Sequence, residues 1–297
     1  MGRSSWAAAA AVPLLILVSA CGAQPAADAA PPAQPPVADA LGADEVALRV
    51  THTGGFVTPQ SIPSRVPALS IYGDGRVITE GPVPAIYPGP ALPNLQQARI
   101  SAEDVDDLVR RAVNAGVGTA KDLGQPGVAD AATTRFLVTT EAGVRSTDAY
   151  ALEMPDDAGA LTAEQKAARK RLADLLADLQ DLPKTLGQGA VTEEGAYPAK
   201  VVAGIATPYV NQPENVVELG PPAPVAWPGS ALPGARLDPS VDVGCVAATG
   251  DQARAVLAAA AKANAMTPWT SGGKQWSVLL RPLLPDESSC ADLAKQE

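Results

Sequence analysis

The chain has 297 residues, a net charge of −10 and a pI near 4.7, enough length for one large or two small domains. Nucleic-acid binding relies on Lys and Arg neutralising phosphates. With 22 basic residues against 32 acidic ones and no basic stripe, the composition argues against nucleic acid as a partner.

Hydrophobic residues make up 46% but aromatics only 4%, so Ala, Val and Leu must build the core. The 29 Pro and 26 Gly predict long irregular loops between modest elements.

Residues 1–20 read as an export signal. Arg3 supplies the positive charge, and Ala7 to Val18 form an apolar run too short for a confident membrane span. Val18-Ser19-Ala20-Cys21 resembles a bacterial lipobox. In that family the Cys thiol takes a diacylglyceryl group and the chain is cut before it. The resemblance therefore implies lipid attachment at Cys21, with the membrane as partner. An ordinary signal peptide cut after Ala20 would leave Cys21 incidental. Residues 22–43 hold nine Ala and five Pro without apolar periodicity. Such a stretch buries too little surface to fold, so 21–43 is expected to be a disordered tether. Fully polyproline-like, it would reach roughly 60–70 Å.

The folded part is expected as a first α+β sub-domain over 44–183 and a second over 184–297. A strand is predicted over 45–52. Residues 68–81, "ALSIYGDGRVITEG", form the clearest hairpin, because Asp-Gly favours the turn and two β-rich runs flank it. Asp74 belongs to that turn in preference to a metal site. After a Pro-rich loop (82–95), "ISAEDVDDLVRRAVNAG" predicts a helix capped by Ser101 and Asp104. Val105, Leu108, Val109, Ala112 and Val113 would lie on its buried face, and Gly116 would stop it. The acidic residues Glu103, Asp104, Asp106 and Asp107 complement the helix dipole. A second hairpin is predicted over 133–152, around Glu141-Ala142-Gly143. A long helix follows over 162–182. It is capped by Thr162 and Gln165, striped by Leu172, Leu175, Leu176 and Leu179, and ended by Pro183. In the second half, strands are predicted at 197–207, 242–248 and 274–285, with a helix at 250–265 that turns Val256, Leu257 and Ala260 inward.

Tyr87-Pro-Gly-Pro-Ala-Leu-Pro-Asn94 and Trp227-Pro-Gly-Ser-Ala-Leu-Pro-Gly234 share five of eight residues. An internal duplication would produce this likeness, and so would chance in a chain rich in Pro, Ala and Leu. If exposed, Tyr87 and Trp227 would head two rims of one binding surface. If each packs beneath its own loop, both are core. Trp269 and Trp276 flank Gly272-Gly273 and are expected inside an aromatic-poor half.

Cys245 and Cys290 remain once Cys21 is assigned, and two thiols in an exported protein most simply pair as a disulfide. The chain has one His and no Cys-x-x-Cys, so no metal or other cofactor is expected. There is no Gly-x-Ser-x-Gly. Ser271-Gly-Gly-Lys274 looks like a turn, not a helical Ser-x-x-Lys. His52 ends a strand and reads as an ordinary surface or capping residue. A carboxylate pair adjacent only in space stays open.

Residues 45–182 resemble uncharacterised secreted proteins of actinobacteria, through "YGDGRVI", "ISAEDVDDLVRRAVNAG", "DAATTRFLV" and "AYAL". "RPLLPDESSC" is similar to the C-terminus of the same group. The resemblance implies an exported α+β protein and no known activity. The expected architecture is antiparallel hairpins with amphipathic helices on one face. The expected function is a non-catalytic binding module at the cell envelope, taking an envelope protein or a small molecule. A carboxylate-dependent hydrolase is the alternative, and an inhibitor or assembly chaperone the third reading.

Overall fold

The computed structural model describes residues 37–155, 159–210, 223–237 and 242–294. Cys21, the lipobox and most of the tether lie outside these residues. The fold is α+β, with two largely antiparallel sheets. Residues from Pro36 onward form one compact unit.

The first sheet has the order β6-β5-β1-β2-β3-β4-β7. Its strands are β1 (Val46–Gly54), β2 (Leu69–Tyr72), β3 (Arg76–Glu80), β4 (Leu95–Arg99), β5 (Ala132–Thr140), β6 (Gly143–Tyr150) and β7 (Thr192–Ala196). Alternation sends Leu48, Val50, Ile71, Val77, Phe136 and Val138 to one face. Two helices cover that face, Ala102–Ala115 and Ala163–Gln180. Both open on the expected capping boxes, Ser101 with Asp104 and Thr162 with Gln165. Val105, Leu108, Val109 and Ala112 from the first helix and the four predicted leucines from the second are buried there. Gly116 stops the first helix in the left-handed conformation. The second ends at Gln180, and Pro183 opens a further short helix, Leu182–Leu186, instead of terminating the long one.

The hairpin turn at 73–75 is as predicted. Gly75 has φ +82°, and a Cβ there would sit 2.2 Å from the Ile100 carbonyl oxygen. Asp74 accepts from the Arg76 backbone and guanidinium, so it serves the turn.

The second sheet has the order β10-β11-β8-β13-β12-β9. Its strands are β8 (Val201–Pro208), β9 (Val225–Ala226), β10 (Ala235–Arg236), β11 (Gly244–Thr249), β12 (Trp269–Ser271) and β13 (Lys274–Pro282). The helix Gly250–Ala260 covers one face, where Val202, Ala206, Ala248, Val256, Trp269 and Val278 meet. The other face carries Ile205, Cys245, Leu283 and Leu293.

The expected boundaries shift in two places. The span expected as tether reaches into ordered structure, because Val37–Ala40 forms a helical turn whose Ala38 is buried and donates its N–H to Asp106. β7 lies in the span expected for the second sub-domain, yet it pairs with β4 and completes the first sheet. In both sheets the opening strand pairs with one strand before the helix and one after it, β1 with β2 and β5, and β8 with β11 and β13.

Candidate functional site

Three features could carry function: a polar seam between the sheets, an apolar end, and a polar groove. The seam begins with Arg49, whose neighbours Leu48 and Val50 face the helices, so its own side chain points to the opposite face. There it donates to Ser70 Oγ at 2.9 Å, to the Tyr72 hydroxyl at 3.1 Å, and to both oxygens of Asp286 at 2.7 and 2.9 Å. The Tyr72 hydroxyl donates to Asp286 at 2.8 Å. Beside it Arg281, 0% exposed, pairs with Glu287, 3% exposed, at 2.8 Å. Arg281 Nε also donates to the Arg65 carbonyl at 3.0 Å. The second Glu287 oxygen accepts the Leu284 N–H at 2.7 Å. Tyr72, Ile78, Leu95 and Leu284 seal the seam with apolar surface.

Burial sets the electrostatics. It pushes the Tyr72 hydroxyl far up, and pushes Tyr197, whose hydroxyl donates to the Leu283 carbonyl, up to about 12. Burial would raise Asp286 too, but the hydrogen bonds and charge of Arg49, with help from Tyr72, hold it below the ordinary carboxylate range. For Arg281, burial outweighs Glu287 and lowers the guanidinium. The lowered Asp286 fixes a pH dependence. A carboxylate depressed in the folded state contributes stability above its unfolded value of about 3.9, and that contribution disappears as pH falls through its folded value. Urea midpoints measured from pH 6 to pH 2 are therefore expected to fall more steeply below about pH 4 in the wild type than in Asp286→Asn.

The apolar end comes from the topology. β1 and β3 both run antiparallel to β2 between them, so they leave the sheet at the same end, about 10 Å apart. The loop after β1 carries Phe56 (92% exposed) with Val57 and Ile62. The loop after β3 carries Val83, Ile86 and Tyr87 (66% exposed). Thr207 donates to Gln60 of the first loop, and Val210, three residues on, is exposed. Residues 53–64, 81–98 and 201–210 contain no charged side chain. The second loop also spans the two sheets, since Ala265 donates to the Gly89 carbonyl while Ala91 and Leu92 pack on the second core.

The groove, about 740 Å³, lies along β6. Lys121, Asp122 and Gln125 line one side, and Ser146, Asp148 and Tyr150 the other.

Tyr87 and Trp227 do not form paired rims. Tyr87 is at the surface, whereas Trp227 is 8% exposed and buried beneath its own loop. Trp227 meets Trp269 edge-to-face at 5.4 Å and donates to the Ser230 carbonyl. Gly204 of β8 makes room for it, as a Cβ there would come within 2.9 Å of the indole. Trp269 and Trp276 are buried, and Gly272-Gly273 is a hairpin turn. Cys245 and Cys290 pair as a disulfide, with Cα atoms 6.0 Å apart. The backbone carbonyl of His52 accepts from Arg65. The acidic cluster serves local structure: Asp104 caps its helix, Asp106 accepts from Ala38, and Asp107 pairs with Arg110 and Arg111. No cluster of three or more His, Cys, Asp or Glu suited to a metal occurs among the described residues. No helix among them is long and apolar enough to cross a membrane.

Sequence reasoning missed the seam. Its signal was an arginine inside each of two apolar strands, "VALRV" and "VLLRPLL", since a buried charge requires a partner. Comparison with protein-family profiles, with curated protein sequences and with solved structures gives no match.

Proposed function

We propose that this is a lipid-anchored, extracytoplasmic protein acting as a non-catalytic binding module at the cell envelope. The observation that carries the binding reading is the pair of loops after β1 and β3, without charged side chains over 53–64 and 81–94, on which Phe56, Ile86 and Tyr87 stand exposed. On a molecule of net charge −10, apolar loops without charged side chains give a partner surface to bury with few ions to desolvate. β1 places the apolar end about 30 Å from Val46, where the body's first strand begins. The lipobox-like Cys21 and the Ala/Pro run support the anchor, and the Cys245–Cys290 disulfide suits an oxidising compartment. A carboxylate hydrolase needs an acid with a raised pKa. Asp286 is instead lowered and held by Arg49, which does not fit that chemistry.

The test is affinity capture from native envelope extract, with the body Pro36–Glu297 and a Phe56→Ala/Ile86→Ala/Tyr87→Ala variant as baits. The expected result is a protein retained by the wild type and lost by the variant at unchanged Tm. Equal retention by both, or none by either, would overturn the reading and bring the hydrolase forward.

A further inference from the structure

The two sheets end in four edge strands, β6 and β7 in the first, β10 and β9 in the second. An exposed edge invites another strand unless something blunts it. β9 and β10 have two residues each. β7 has five, carries Glu193 and Glu194, and pairs with β4 through a bulge. β6 also carries two charged residues, Arg145 and Asp148, but differs in length and regularity. It has eight residues and no proline, and its register with β5 is unbroken from Thr133↔Tyr150 to Thr140↔Gly143.

The hydrogen-bond phase decides what β6 presents outward. The two-residue turn Glu141-Ala142 makes Thr140 and Gly143 a bonded pair, and bonded pairs alternate along an antiparallel ladder. Arg145, Thr147 and Ala149 therefore bond to β5. The Ala151 N–H, which donates to the Ala132 carbonyl at 2.8 Å, keeps the same phase. Val144, Ser146, Asp148 and Tyr150 then turn their N–H and C=O groups away from the sheet. The Tyr150 carbonyl is taken by Arg169. Among the described residues no group bonds the backbone of Ser146 or Asp148. This row lies beside the groove, which is broadly open to solvent. The opposite wall, Ala120–Gln125, is fastened in place. Gly118 donates to Thr147 Oγ1 at 2.7 Å, and Gln165 donates to Asp122 at 2.8 Å.

We propose that β6 is a docking strand for an extended polypeptide segment of a partner protein, seated in the groove between β6 and Ala120–Gln125. Alternating backbone donors and acceptors at strand spacing complement an extended chain and little else. The polar lining, Lys121, Asp122, Gln125, Ser146 and Asp148, favours a segment with polar side chains. The segment must be free of proline where it forms the ladder. This surface is separate from the apolar end, so failure of the capture experiment leaves this test intact.

Amide exchange in the body Pro36–Glu297 comes first. Ser146 and Asp148 amides are expected to exchange fast while those of Arg145 and Thr147 are protected. Equal protection at all four would show the edge already covered and overturn the proposal. Next, a display library of unstructured eight-residue peptides is selected on the body, and an enriched peptide is synthesised. Its binding should slow exchange at Ser146 and Asp148. Ser146→Pro removes an outward N–H without touching the β5 ladder, and should weaken the peptide at least about tenfold at unchanged Tm. If that variant does not fold, N-methylation of the peptide's ladder-facing nitrogens should produce the same loss. No enriched peptide, or binding indifferent to both changes, overturns the proposal. A mass that doubles with concentration and reverts with Ser146→Pro would give the edge to a second copy and overturn it equally.

Discussion

Replacing Arg281 with Met is expected to lower the unfolding free energy by about 3–5 kcal/mol, read as a drop in the urea midpoint at pH 7. Arg281 is fully buried, and Glu287 beside it is nearly so. An arginine at neutral pH stays charged even when burial lowers its pKa. Removing it strands a carboxylate in a region sealed by Leu284, Tyr72 and Leu95. It also leaves the Arg65 carbonyl without the Nε donor it accepts from. The charge left behind dominates the effect, because replacing a whole buried pair with apolar groups is often neutral. Arg281→Met/Glu287→Leu is therefore expected to recover much of the loss. Recovery stays incomplete because the Leu284 N–H loses its carboxylate acceptor. A double variant no better than the single one would show that the arginine acts through packing alone.

Cys245→Ala/Cys290→Ala should cost about 4 kcal/mol, the chain-entropy value for closing a loop of 45 residues. Urea unfolding measures the total loss. Amide exchange at 283–293 reads the local consequence. The crosslink ties the turn Cys290–Leu293 to β11, and the residues just before it carry Asp286 and Glu287. Opening the disulfide therefore loosens the segment that supplies both carboxylates to Arg49 and Arg281. Its effect should combine non-additively with Asp286→Asn, because the two changes share that segment. Strictly additive losses would show that β13 alone positions the carboxylates. For a domain whose total stability is of order 5–15 kcal/mol, either change removes a large fraction.

The seam also explains why the two halves behave as one body. Arg49 and Tyr72 come from the first sheet, while Asp286 lies just past the last strand of the second. Tyr197, just after β7, donates to the Leu283 carbonyl beside them. The division expected at 183–184 thus falls inside a unit that shares one sheet edge and one polar cluster.

The amino-acid sequence by itself determined what is settled within a few neighbouring residues. Ser101 with Asp104, Thr162 with Gln165, the Asp74-Gly75 turn and the Gly116 stop are contacts between residues close in the chain. They were legible because local hydrogen bonding and backbone sterics decide them. The strongly periodic helices and the two hairpins of the first sheet followed from the same signals. Strands with weak periodicity did not. β4 (LQQAR) and β7 (TEEGA) are polar and short, and they exist because a neighbouring strand offers a ladder. Only the tertiary structure decided the rest. Asp286 reaches Arg49 across 237 positions, a pairing no local pattern encodes. Trp227 and Tyr87 head nearly the same octapeptide, yet one is core and the other surface. A glycine in β8 opens a slot beneath the first, while the second projects from a loop held at Gly89 and Leu92. Burial and pairing belong to what surrounds a residue in space, so like sequences in the two loops end in unlike environments.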